Sequence, residues 1–179
     1  MELFVTIAEI AGVFVGFGAL IGAIRRNEIE AAQLSRLRAV VTSGLLVVVA
    51  ALVPVGLGQY NISSHTFWLT CSLVFFGLNW IAIVLSLRRP ENWRLTVDEL
   101  KSNPLTAAFF WLLLEVPVQL PLLLIMTGQF TDLDLAFYLT AILFSLFEAA
   151  FVLAQLVYAQ MSPKKPAEED TTNDDEEAA

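Results

Sequence analysis

Cysteine and histidine each occur once in this chain, as Cys71 and His65. One cysteine allows no intrachain disulfide, and one histidine without a cysteine or second histidine beside it is a poor start for a metal site. Charge is scarce as well: 16% of residues are Asp, Glu, Lys or Arg, against 57% hydrophobic, with a mean hydropathy of +0.69. A soluble domain is about a quarter charged. The long apolar runs hold no lysine, arginine, histidine or aspartate. That removes the basic or imidazole partner on which most nucleophilic and acid–base catalysis relies. There is no HExxH, Walker loop or GxGxxG pattern. We therefore expect no enzyme, no cofactor, no metal and no nucleic-acid partner.

The chain instead offers five apolar stretches, each near the ~20 residues that a helix needs to cross the hydrocarbon core of a bilayer. They are Leu3–Ile24, Ala39–Gly58, Thr66–Leu87, Leu105–Thr127 and Leu135–Tyr158. The sequence thus predicts an all-α integral membrane bundle of five transmembrane helices. Residues 1–161 form the membrane domain, and residues 162–179 an acidic tail too polar to bury a core. That tail carries seven of the 18 acids, so the formal net charge of −8 says little about the rest of the chain.

Every lysine and arginine falls on one side of this arrangement. Arg25, Arg26, Arg36 and Arg38 lie between spans one and two, Arg88, Arg89, Arg94 and Lys101 between three and four, and Lys164 and Lys165 after span five. Basic residues stay on the cytoplasmic side. This predicts an external N-terminus and a cytoplasmic C-terminus in a multi-pass cell-membrane protein, with Glu2, Asp132 and Asp134 outside. Tyr60, Trp68 and Tyr138 fall at the outer boundary and Tyr158 at the inner one, where aromatic rings favour the headgroup level. Asn61-Ile-Ser63 matches a glycosylation triplet and would face outward.

Local signals divide the connections. Asn27 with Glu30 resembles a capping box, so a helix starting near Glu28 should run unbroken into span two. Thr96 with Glu99 predicts a short interfacial helix, Val97–Ser102, and Asn103-Pro104 the start of span four. The six residues 128–133 are short enough to make spans four and five an antiparallel hairpin.

Three acids interrupt the apolar runs: Glu9, Glu115 and Glu148. A charge at the bilayer centre costs roughly 2.5–3.5 kcal/mol on insertion scales, and no basic residue lies at that depth to offset it. Such acids must be protonated, solvated or bound to a cation. Helical spacing gives them polar company. Gln119 shares a face with Glu115, and Ser145 and Gln155 share one with Glu148. On span three, Ser72, Asn79 and Ser86 recur every seventh residue. These stripes could converge on one polar interior, or could serve as interhelical hydrogen bonds alone. Span four also holds Pro117 and Pro121, which free backbone carbonyls and favour a kink.

Span one is rich in small residues. Ala8, Gly12 and Gly16 follow at spacing four, and Gly18 and Gly22 repeat it on the opposite side. Such patterns let helices approach closely. Two small faces suggest one contact within the subunit and one between subunits, and Glu9, on the Gly12/Gly16 face, is expected to point into protein.

The segment Ile-Ala-Glu-Ile-Ala-Gly-Val-Phe-Val-Gly-Phe, residues 7–17, resembles the first helix of small prokaryotic multi-pass membrane proteins of uncharacterised activity. The resemblance implies a bacterial inner-membrane location and a role for Glu9 with its neighbouring glycines. Two functions fit the residues. One is an oligomeric proton or cation conduit that uses Glu115, Glu148, Glu9, Asn79, Gln119 and Gln155. The other is a non-catalytic accessory, assembly or sensory subunit that binds a membrane partner through the first helix and the cytoplasmic loops.

Overall fold

A computed structural model describes residues 1–24, 31–60, 63–88, 105 and 115–161, without the side chains of 31–33, 35–36 and 159–161. These residues form five helices and no strand. They are α1 (Glu2–Ile24), α2 (Ala31–Leu57), α3 (Ser64–Leu87), α4 (Val116–Thr127) and α5 (Asp134–Met161), with a short 3-10 turn at Thr131–Leu133. Four of them are long and apolar enough to cross a membrane, and α4 is a shorter apolar helix. The capping residues Asn27 and Glu30, the helix expected at 97–102, most of the first half of span four and the tail lie outside the described residues, as does Asn61.

The outward surface of the described residues carries many large apolar side chains. Leu3, Val13, Phe17, Leu45, Leu73, Ile81, Leu120 and Phe147 are among the exposed large hydrophobic residues. Water would not tolerate so continuous a patch. These helices fit an integral membrane protein, in which lipid covers the exterior.

Helix α5 is the hub: it touches all four other helices and packs most extensively on α2 and α4. Helix α1 lies chiefly along α2. That contact depends on small residues from both sides. Gly18 meets Val40 and Val41, Gly22 meets Leu37, and Gly44 of α2 faces Val15 and the Ala11 carbonyl. The expected spacing-four stripe does not stay on one side of the bundle. Ala8 is buried, whereas Gly12 and Gly16 face open space. The turn from α4 to α5 begins at Gly128, whose φ of +65° suits a residue without a side chain. Its N–H donates to the Ile125 carbonyl, closing α4.

Tyr138 departs from its expected place in a headgroup belt. Its ring is 0% exposed, inside the bundle. Phe4 of α1 and Trp68 and Phe75 of α3 surround it, with ring centroids 5.5–6.2 Å away. The reason lies on α2. Pro54 has no N–H, so the Ala50 carbonyl one turn earlier loses its helical donor. The Tyr138 hydroxyl donates to that carbonyl at 2.7 Å. An aromatic with one polar tip thus fills a gap left by a proline. Phe is therefore expected to be a poor substitute. Tyr138→Phe should destabilise the fold by about 1 kcal/mol, as for a buried carbonyl left unpaired. Pro54→Ala, which restores the N–H, should remove most of that penalty. Reversible unfolding of the single and double variants in detergent measures both effects; equal Tyr138→Phe penalties in the two backgrounds would contradict the pairing.

Candidate functional site

Asn79 of span three meets Glu115 of span four, and Glu148 of span five lies within electrostatic reach of that acid. Glu115 precedes the first turn of α4 and is buried, with 9% of its surface exposed. Its Oε1 accepts two amide hydrogen bonds. One comes from Asn79 Nδ2 on α3 at 3.1 Å, the other from Gln119 Nε2 at 2.7 Å. The second is a direct product of helical spacing, since residues four apart stack on one face. The first ties α3 to α4. Glu148, half-buried on α5, lies within electrostatic reach of Glu115. One turn before it, Ser145 is buried.

The other polar positions are more scattered. Glu9 is exposed on α1, on the same open face as Gly12 and Gly16. Among the described residues no hydrogen bond links it to Glu115 or Glu148. Gln155 is half-buried two turns beyond Glu148 and has no hydrogen bond to the pair. The stripe on α3 also divides: Ser72 is buried with its hydroxyl unpartnered among the described residues, and Ser86 is exposed. Hydrogen bonds therefore join Glu115, Gln119 and Asn79, with Glu148 within electrostatic reach.

Comparison with protein-family models, with curated proteins and with solved structures finds no match. The reading of the site rests on its own chemistry. An acceptor-only carboxylate oxygen receives N–H groups from two amides, a neutral substitute for the missing base. The amides present hydrogens rather than oxygens to Glu115. Gln119 is left with its own Oε1 buried and without a partner among the described residues. No group of three or more His, Cys, Asp or Glu among those residues could hold a metal ion. Two surface grooves, one between α1 and α5 and one between α1 and α2, are mainly apolar and do not reach the acids.

A second polar pair went unforeseen. His65, in the first turn of α3, and Asp134, which opens α5, meet at 2.8 Å between Nδ1 and Oδ2. Asp134 is 1% exposed, and its Oδ1 has no partner among the described residues. A side chain at Gly128 would crowd the His65 ring from 3.3 Å. The sequence holds one weak signal for this pair: both residues fall near span ends on the same predicted side.

If the amides satisfy Glu115, their effects must couple. Asn79→Leu is expected to cost more stability in the native background than in one that already carries Glu115→Leu. The difference should be near the upper range for polar pairs in membranes, about 1–2 kcal/mol, because the acceptor is ionisable. Detergent unfolding of the four-member cycle gives the value; strict additivity would remove the Asn79–Glu115 bond from the account.

Proposed function

We propose that this chain is an oligomeric membrane protein that conducts protons or cations through a site built on Glu115 and Glu148, with Asn79 and Gln119 holding Glu115 in place. One observation carries the reading: Glu115, buried and held by two amides, and Glu148, half-buried on another helix and within electrostatic reach, sit in apolar spans that contain no base. Burying a single acid there is expensive, and placing a second within electrostatic reach adds repulsion. An arrangement that serves packing alone has little use for that cost. A group that binds and releases a positive ion needs it. Glu9 enters the reading as an acid on the external half of α1, separate from the pair. Gln155 contributes a polar position further toward the cytoplasmic end of α5.

The basic loops support a cytoplasmic placement of the 25–38 and 88–104 connections, with the N-terminus outside the cell. The likeness of residues 7–17 to small prokaryotic membrane proteins supports a bacterial inner membrane.

The open face of α1 favours a second reading, in which the chain is an accessory, assembly or sensory subunit. Gly12 and Gly16 have nothing within 4 Å of where a side chain would start, and Glu9 lies beside them. The opposite small face is already occupied by α2. A homo-oligomer or a different membrane partner would use the free one.

Purified protein reconstituted in liposomes separates the readings. Wild type is expected to pass protons or alkali cations faster than empty vesicles, and Glu115→Gln/Glu148→Gln to lose that flux. Equal flux from wild type and double variant would end the conduit proposal. Absence of flux, together with a recurrent cross-link in native membranes to a protein of different sequence, would favour the subunit reading instead.

A further inference from the structure

We infer that the groove between α1 and α2 binds one anionic phospholipid, with the phosphate at Arg38 and the start of an acyl chain along the seam of the two helices. This site lies apart from Glu115 and stands whether or not the conduit does. The groove has a volume of about 240 Å³. Its levels follow from how the helices pack. Gly22 sits beside Leu37, and Gly18 beside Val40 and Val41. One end of the groove is therefore level with Gly22 and Arg38. The other end, a helical turn closer to the middle of the spans, is level with Gly18 and Thr42.

The lining has a chemical order. Arg38 lies one residue into the apolar part of α2, which begins at Leu37, and it lines the outer end of the groove. An arginine there can lay its stem on apolar surface and hold its head at the headgroup level. Its planar guanidinium suits a phosphate, which it can grip with two parallel N–H donors. Thr42, four residues on, lines the same face one turn further in. The rest of the lining is glycine, alanine, leucine and valine. A cation at the mouth, a hydroxyl one turn in and apolar walls around them match the phosphate, glycerol ester and acyl chain of a phospholipid.

Charge decides the class of lipid. Arg38 is exposed, and no acid lines the groove among the described residues. A zwitterionic headgroup would find a partner for its phosphate and none for its ammonium, so a net negative headgroup fits better. The acidic tail carries matching charge. Residues 162–179, however, contain no leucine, isoleucine, valine or aromatic side chain to enter an apolar groove. In the orientation proposed from the basic loops, the groove opens to the cytoplasmic leaflet, whose anionic lipids attract basic residues near the membrane surface.

Native mass spectrometry of the full chain, released from detergent with phosphatidylglycerol or phosphatidylcholine of equal chain length, tests the site. Wild type should retain one phosphatidylglycerol at several-fold lower lipid concentration than phosphatidylcholine. Arg38→Gln should cut that preference about fivefold, the worth of one basic residue near an anionic surface. Arg88→Gln, at the exposed end of α3 on the same predicted side and outside the groove, should leave it unchanged. Ala19→Phe, at an exposed position in the groove wall, should lower retention of both lipids. Equal retention of the two lipids by wild type would overturn the inference. So would equal losses in Arg38→Gln and Arg88→Gln, the mark of a general attraction to the membrane surface. Loss of a dimer in Ala19→Phe with lipid retention intact would put a second copy in the groove and overturn it as well. The two arginine variants change only exposed side chains and decide the matter even if Ala19→Phe fails to fold.

Discussion

An acid buried among apolar helices without a basic partner must find hydrogen-bond donors, and this requirement shapes the centre of the bundle. Glu115 meets it with Asn79 and Gln119. The first choice fixes how α3 is turned relative to α4, because Asn79 must face the fourth helix. The second needs no tertiary cooperation, since four residues along a helix return to the same face. Glu148 of α5 lies within electrostatic reach of Glu115.

The same logic recurs wherever helices are tied to each other by polar groups. Lipid tails are as apolar as leucine, so burial of hydrocarbon gives little preference for one helix arrangement over another. Close packing at small residues and a few polar contacts must decide. Gly18, Gly22 and Gly44 decide how α1 sits on α2. Tyr138 ties α5 to α2 by supplying the donor that Pro54 withholds from Ala50. His65 ties the start of α3 to the start of α5 through Asp134. The two polar contacts each pair a buried oxygen, and each links helices distant in sequence.

This physics also explains what the sequence could and could not disclose. Span lengths follow from hydropathy alone, so the long helices were legible, as was the continuity of α2 from Ala31 onward. The shared face of Glu115 and Gln119 was legible from helical spacing. Spacing does not say which face looks inward when both protein and lipid are apolar. Glu9 illustrates this: it shares a face with Gly12 and Gly16, as expected, but within one chain that face is open. Tyr138 illustrates it from the other side, an apparent boundary aromatic whose ring is in the core. The His65–Asp134 pair was hidden because the carboxylate lies 69 residues away, beyond the reach of any local motif. The consequence of Pro54 was not legible because it is a hydrogen bond donated from another helix.

The most direct test of the account is the Asn79–Glu115 contact in a bilayer. Solid-state NMR of the reconstituted protein can measure the dipolar coupling between a labelled Asn79 side-chain nitrogen and the labelled Glu115 carboxyl carbon. The account predicts a coupling matching direct hydrogen-bond contact, as the 3.1 Å separation from Nδ2 to Oε1 requires. A Glu115 carboxyl with no coupling to Asn79, and with contacts to lipid acyl chains instead, would contradict it.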